Sequence, residues 1–115
     1  MESSNCLFCK IIQGKIPSKK VYEDRETFAF EDINPQAPTH IQIVPKQHIA
    51  RIYDIDDSTS YLVGKLTQVA NKIAAERELL DGYRLVINCN PGAGQTVYHI
   101  HLHLLGGRPF KWPPG

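Results

Sequence analysis

Three histidines alternate with aliphatic residues near the C-terminal end of the chain, in the run His99-Ile100-His101-Leu102-His103-Leu104-Leu105. Successive side chains of a β-strand point to opposite faces, so the alternation predicts three imidazoles on one face and aliphatic side chains on the other. Imidazoles bind metal ions, act as nucleophiles and transfer protons near neutral pH. The run therefore indicates either a metal site or a nucleophilic or acid–base site, and the pattern alone leaves both open.

A glycine-rich loop, Asn90-Pro91-Gly92-Ala93-Gly94, precedes the histidine run and has the composition of a tight turn. Gln95 and Thr96 follow it. Exposed backbone amides in such a loop suit phosphate or another anion, and Thr96 adds a hydroxyl. The sequence has neither a Walker loop nor a dinucleotide fingerprint, which excludes a P-loop nucleoside triphosphatase and a Rossmann dehydrogenase.

The elements that position these residues follow from the periodicity of the apolar residues. Apolar residues recur at helical spacing from Leu62 to Leu80, after the N-cap candidates Asp56-Asp57-Ser58, and predict one helix of about twenty residues that ends at Gly82. The segment Leu7 to Ile12 predicts one or two helical turns. Strands are predicted over residues 20–23, 27–30, 40–44, 83–88 and 97–105. This order predicts an α+β fold, an antiparallel five-stranded sheet with one long and one short helix.

Composition and charge narrow the class of protein. The chain has 115 residues, 42% hydrophobic and 22% charged, which predicts a single globular domain over residues 1–115. A net charge of +1 gives no electrostatic case for binding nucleic acid. No apolar run is long enough to span a membrane, and the N-terminus lacks the features of a secretory signal. Three cysteines, an odd number, favour a reducing cytoplasm over a disulfide scaffold.

The run from Gly94 to Arg108, followed by Trp112-Pro113-Pro114-Gly115, resembles the histidine triad (HIT) superfamily and, more narrowly, its branch of histidine triad nucleotide-binding (HINT) proteins. Residues 8–12, 30–40 and 81–84 match the same family in order and approximate spacing. The resemblance thus covers nearly the whole chain, and it implies the HIT-like fold and a homodimer.

The activity implied by the resemblance is that of a purine nucleoside phosphoramidase, which also hydrolyses aminoacyl adenylates to AMP. His101, the middle histidine, matches the nucleophile that forms a covalent nucleotidyl-histidine intermediate. His103 is expected to contact the phosphoryl oxygens, and the Thr96 hydroxyl to hydrogen-bond the leaving group. His40 is expected to orient the histidine face or to assist proton transfer.

The resemblance also implies a pocket for purine nucleoside monophosphate conjugates. Asp32 matches the carboxylate that accepts hydrogen bonds from the ribose hydroxyls, and Ile33 is expected to lie against the base. Asn88 and the backbone amides of Gly94 and Gln95 are expected on the phosphate side, with Thr96, His101 and His103. The apolar slot for the purine is expected to be completed by Phe8, Ile11 and Phe30.

A structural zinc ion is the cofactor that the resemblance implies. Cys6 and Cys9 form a Cys-x-x-Cys pair, and their local sequence resembles HIT relatives that hold zinc with two cysteines and two histidines. The matching histidines here are His48 and His99. A Cys2His2 set satisfies closed tetrahedral zinc, so this assignment removes His99 from catalysis.

Two further functions remain open alternatives. A metal-dependent hydrolase could use the histidine face as its ligands, although no Asp or Glu lies within the motif to act as a base. A non-catalytic purine nucleotide sensor or interaction protein could use the same pocket. Release of nucleoside monophosphate from an adenosine phosphoramidate, with and without a chelator, separates the three functions.

Overall fold

The computed structural model describes residues 5–115; residues 1–4, part of the segment in which no secretory signal is expected, lie outside this range. Two helices are present, α1 (Leu7–Ile12) and α2 (Ser60–Glu76). The strands are β1 (Lys20–Glu23), β2 (Thr27–Glu31), β3 (Thr39–Pro45), β4 (Tyr83–Val86) and β5 (Leu102–Gly106). The prediction of a five-stranded sheet with one long and one short helix is confirmed.

The sheet is antiparallel throughout, with the strand order β1-β2-β3-β5-β4. Gln42 on β3 pairs with Phe30 on β2 and with His103 on β5. Directly paired residues share a face of the sheet, so the register places these three side chains in one row. His40, two residues before Gln42 on β3, points to the same face.

Each face of the sheet is covered by a different helix. On one face, Ile41, Ile43 and Leu104 are buried together with the apolar stripe of α2, which comprises Leu62, Leu66, Val69, Ala70, Ile73 and Ala74. On the other face, α1 packs Phe8 and Ile11 against the aromatic residues of β2. Because α1 has only six residues, it leaves part of this second face uncovered. The histidines lie beside that uncovered part.

Helix α2 ends at Glu76, so the prediction that it continues to Gly82 is wrong at this end. Arg77 caps the helix, and Glu78 adopts a left-handed φ of 59°. After this turn, Leu79 packs against the core. Its Cδ1 lies 2.7 Å from the position that a Cβ atom on Gly106 would occupy. The predicted apolar repeat runs to Leu80, but Leu80 is exposed, and the buried residue after the helix is Leu79.

The two C-terminal strands are shorter than predicted. β4 ends at Val86 instead of residue 88, and β5 begins at Leu102 instead of residue 97. Before β5 the chain bends, and the amide of Ile100 donates to the carbonyl of Ile49 at 2.8 Å instead of joining the sheet. Only His103 of the three histidines therefore lies on a strand. His99 and His101 precede it, while Ile100 is still directed into the core with α2.

No helix in the described residues is both long enough and apolar enough to cross a bilayer.

Replacing Leu66 tests the packing of α2 on the sheet. Leu66 is fully buried, so Leu66→Ala is expected to lower the free energy of unfolding by about 2–5 kcal/mol through lost burial and a residual cavity. The matched control is Leu80→Ala, because Leu80 is 70% exposed and should change stability by less than about 0.5 kcal/mol. Urea unfolding measures both, and equal losses would contradict the proposed core.

Candidate functional site

A cavity of about 350 Å³ opens between α1, the end of β2 and the segment that leads into β5. Apolar side chains of α1 and β2 form one wall, and His101, His103 and Thr96 form the opposite one. The predicted site residues that line it are Asp32, Ile33, Gly94, Thr96, His101 and His103, together with the expected slot residues Phe8, Ile11 and Phe30. The volume falls within the range of small-molecule pockets, roughly 300–1,000 Å³.

His101 is held in one tautomer by the backbone. Its Nδ1 lies 2.8 Å from the carbonyl oxygen of His99, and a carbonyl only accepts, so Nδ1 carries the proton. In the neutral ring, Nε2 then presents a lone pair. Phe8 packs edge-on against the imidazole with the ring centroids 5.1 Å apart, and the residue is buried. The arrangement presents the lone pair of a neutral, oriented ring nitrogen at the wall of the cavity, and such a nitrogen is chemically capable of nucleophilic attack.

His103 and His40 form a hydrogen-bonded pair next to His101. The His40 Nε2 lies 2.9 Å from the His103 Nδ1 and 3.3 Å from the Asp32 Oδ2. The ring centroids of His101 and His103 are 4.9 Å apart, so the two imidazoles present adjacent edges to the cavity. His40 itself is buried and is not among the residues that line the cavity.

The Asp32 carboxylate is fixed at the mouth of the cavity by two donors. Its Oδ1 accepts a hydrogen bond from the backbone amide of Asn34 at 2.8 Å, and its Oδ2 accepts one from the Gln42 side chain at 2.7 Å. Ile33, beside it, is fully exposed. A carboxylate oriented in this way can accept further hydrogen bonds from ligand hydroxyls.

The glycine-rich loop is organised differently from the sequence prediction. The amide of Gly94 donates to the Pro91 carbonyl and that of Gln95 to the Asn90 carbonyl, at 3.0 and 3.1 Å, so both amides are used within the loop. The buried Gln95 side chain accepts from the Asn90 amide and donates to the carbonyl of Ala50.

Asn88 also serves the loop. Its Nδ2 donates to the Ala93 carbonyl at 2.7 Å. The lining of the cavity includes Gly94 and Thr96 but neither Asn88 nor Gln95. These two side chains therefore shape the loop that carries Thr96.

A second group of side chains converges beside the cavity. The ligand atoms of Cys6, Cys9, His48 and His99 all lie within 4.8 Å of one another. The His99 Nε2 lies 2.7 Å from the Pro45 carbonyl, which places the proton on Nε2 and leaves the Nδ1 lone pair directed at the thiols. A chain segment from α1, one after β3 and one before β5 therefore meet at this cluster.

The separations in this cluster fit a zinc ion. With Zn–N near 2.0–2.1 Å and Zn–S near 2.3 Å, a tetrahedron has edges of about 3.3 Å between two nitrogens and about 3.6 Å between nitrogen and sulfur. The two Nδ1 atoms are 3.2 Å apart, and three nitrogen–sulfur separations are 3.4, 3.4 and 3.5 Å. The donor set and its spacing support Zn²⁺.

Burial keeps the imidazoles of the cavity neutral. It lowers the pKa of His103 to about 4, and it also lowers the pKa values of His40 and His101. The folded pKa of His103 lies below its ordinary value of 6.5, so the unfolded chain binds more protons between these values. The contribution of His103 to stability is therefore lost as the pH falls from 6.5 toward 4.

Two groups that act on the site were not found from the sequence. Gln42 donates to Asp32, and the backbone amide of Gln36 donates to the His40 Nδ1 at 3.0 Å. The alternation of β3 places Gln42 on the same face as His40, which is a signal that could have identified it. Every residue other than proline has a backbone amide, so nothing in the residue types indicates that the amide of Gln36 contacts His40.

Comparison with known proteins gives matches over almost the whole chain. The family described as the HIT domain matches residues 13–110. The crystal structure of a HIT family hydrolase from Legionella pneumophila Philadelphia 1 is 58% identical with a TM-score of 0.94, and the match covers 96% of this chain and 100% of that one.

Two further relatives carry names that describe binding. A 14 kDa zinc-binding protein from Zea mays is 49% identical over 100% of this chain and 91% of its own length. The crystal structure of a histidine triad nucleotide-binding protein from Candida albicans is 34% identical with a TM-score of 0.80, covering 95% of this chain and 83% of that one. With the family match and these identities, the chain belongs to the HIT domain family.

Proposed function

We propose that this protein hydrolyses purine nucleoside monophosphate conjugates, cleaving the phosphorus–nitrogen bond of adenosine phosphoramidates and the mixed anhydride of aminoacyl adenylates to release AMP. The observation that carries the proposal is the hydrogen bond from His101 Nδ1 to the His99 carbonyl, which leaves Nε2 free as a nucleophile at the cavity. Relatives named HIT family hydrolase and histidine triad nucleotide-binding protein support it.

In the first step the Nε2 lone pair of His101 attacks phosphorus, and a bond forms between them. The bond from phosphorus to the amine nitrogen breaks, and that nitrogen leaves as a neutral amine with a proton drawn from solvent through the Thr96 hydroxyl. The nucleotidylated imidazole is a cation, and the His99 carbonyl stabilises it through the Nδ1 proton. His103 donates to a phosphoryl oxygen as its charge increases.

In the second step a water molecule attacks the same phosphorus atom. The bond between phosphorus and Nε2 breaks, the nucleoside monophosphate leaves, and one proton is released to solvent. His101 returns to the neutral tautomer with its proton on Nδ1. The phosphorus–nitrogen bond of the intermediate is labile, because its leaving group is a neutral imidazole.

Recognition of the nucleotide is assigned to the apolar residues of the cavity and to Asp32. The purine lies between Phe8 and Ile33, next to Phe30, and the ribose hydroxyls donate to the Asp32 carboxylate. This carboxylate is already oriented by Asn34 and Gln42, so binding does not require it to be ordered.

Zn²⁺ is proposed at Cys6, Cys9, His48 and His99, and when bound it serves as a structural cross-link with no open coordination position. The His99 ring belongs to this cluster, and the His99 carbonyl holds His101. Phe8 lies between the two cysteines on α1 and contacts His101. The residues of the zinc site thus hold both the nucleophile and one wall of the slot.

A non-catalytic purine nucleotide sensor or interaction protein remains the alternative, since the same pocket would serve it. Binding of AMP without turnover of any conjugate would support that alternative. A homodimer, implied by the family resemblance, and a cytoplasmic location stay predictions.

His101→Ala is expected to lower kcat/KM for an adenosine phosphoramidate by several orders of magnitude, because it removes the atom that bonds to phosphorus. AMP binding, measured by calorimetry, should persist because the slot and Asp32 are unchanged. Mass spectrometry of rapidly quenched wild-type protein should show a nucleotidyl adduct that the variant lacks. Turnover at the wild-type rate in His101→Ala would refute covalent catalysis by this residue.

Elemental analysis of freshly purified protein should give about one zinc per chain, as a single Cys2His2 site requires. Cys9→Ser is expected to reduce the zinc content and the unfolding temperature, since it removes one of the four ligands. Cys89→Ser is the matched control. Cys89 lies outside the cluster, so this variant should keep the zinc content of the wild type. Wild-type protein without zinc would refute the assignment.

A further inference from the structure

Both ring nitrogens of His40 have hydrogen-bonding neighbours: a backbone amide at Nδ1, and a histidine and a carboxylate at Nε2. The backbone amide of Gln36 points at Nδ1 from 3.0 Å. On the other side of the ring, Nε2 faces the His103 Nδ1 at 2.9 Å and the Asp32 Oδ2 at 3.3 Å. His40 is only 5% exposed, so water does not replace these partners.

The Gln36 amide fixes the direction of the hydrogen bonds in this group. A backbone N–H can only donate, so the His40 Nδ1 must present its lone pair to it. The proton of the neutral ring is then on Nε2, and His40 donates to His103, whose Nδ1 accepts. The neutral His103 ring therefore carries its own proton on Nε2, the nitrogen left for a ligand in the cavity.

The same geometry excludes proton transfer by His40. To act as a base, the ring would have to take a second proton on Nδ1, where the Gln36 amide already points. To act as an acid, it would have to lose the Nε2 proton and become an anion beside the Asp32 carboxylate. Burial also lowers the His40 pKa, which disfavours the doubly protonated form.

Building on the proposed function, we propose that His40 is a positioning residue: a fixed hydrogen-bond donor, set by the Gln36 amide, that holds His103 in the tautomer that donates to the phosphoryl group. His40 contacts neither the nucleotide nor the leaving group. Its effect on the reaction passes entirely through His103.

The Gln36 amide also favours hydrogen bonding over metal binding in the group formed by Asp32, His40 and His103. Asp32, His40 and His103 bring ligand atoms within 4.8 Å of one another, which is close enough for a cation. A metal at the His40 Nε2 would move the ring proton to Nδ1, where it would meet the amide proton of Gln36. At His99 the far nitrogen faces a carbonyl instead, so that ring is free to bind metal. His40 and His103 are thus oriented to donate hydrogen bonds through their Nε2 atoms.

Two substitutions at position 40 separate positioning from proton transfer. The side-chain amide of Gln reaches the place of the histidine Nε2 and keeps a donor there, whereas Leu keeps the volume and removes the donor. His40→Leu is expected to lower kcat/KM about 100-fold, the low end of the cost of losing one donor to developing charge. His40→Gln should lower it less than about tenfold. Equal losses in both variants would overturn the proposal.

A double-mutant cycle tests whether the effect passes through His103. In the His103→Ala background, His40→Leu should cost less than about threefold, because the residue that it positions is already absent. An undiminished, 100-fold loss in that background would overturn the proposal. Unfolding midpoints of all variants show whether each is folded.

Nitrogen-15 NMR of the ligand-free protein at pH 7 gives a readout independent of turnover. In the wild type, the His103 Nε2 and the His40 Nε2 should both be protonated. In His40→Leu, the signals of His103 should move toward a mixture of tautomers. A wild-type His103 protonated on Nδ1 would overturn the proposal. If phosphoramidates are not hydrolysed while these tautomers are observed, the proposed function fails and the positioning by His40 stands.

Discussion

The site depends on hydrogen bonds between imidazole rings and fixed backbone groups. The Pro45 carbonyl holds His99, the His99 carbonyl holds His101, and the Gln36 amide holds His40. Each contact decides which nitrogen of the ring carries its proton. Chemically identical side chains thereby present different groups: His99 turns an Nδ1 lone pair to the cysteines, His101 an Nε2 lone pair to the cavity, and His40 an Nε2 proton to His103. Burial preserves the difference because it keeps the rings neutral.

The sheet makes these backbone contacts possible. Pro45 ends β3, and its carbonyl lies 2.7 Å from the His99 Nε2, so the position of the His99 ring depends on where β3 ends. Packing of α2 on the opposite face fixes β3 and β5 relative to each other. A rigid scaffold of this kind gives the histidines defined separations, whereas the glycine-rich loop relies on the Gln95 side chain.

Much of the fold and part of the site could be predicted from the sequence. Strand-like runs bounded by turn residues identified all five strands, and helical spacing identified α2, whose apolar stripe is buried. Helical spacing placed the end of α2 too late, because Leu80 continues the apolar repeat in the sequence but is exposed, after the chain has left the helix at the left-handed Glu78. Alternation likewise extended the last strand over His99, whose ring serves the cysteine cluster and whose carbonyl accepts a hydrogen bond from His101. Contacts made by a backbone group, such as that of Gln36, are not encoded in residue type and require the three-dimensional structure.

The contact between Cys6 and His99 joins residues 93 positions apart, near the two ends of the chain. Closing so long a loop has a large entropic cost, and contacts between distant segments tend to form late in folding. The pocket wall on α1 and the carbonyl that orients the nucleophile both belong to this contact. A chain still being synthesised thus has no complete pocket until the segment from His99 to His103 has left the ribosome.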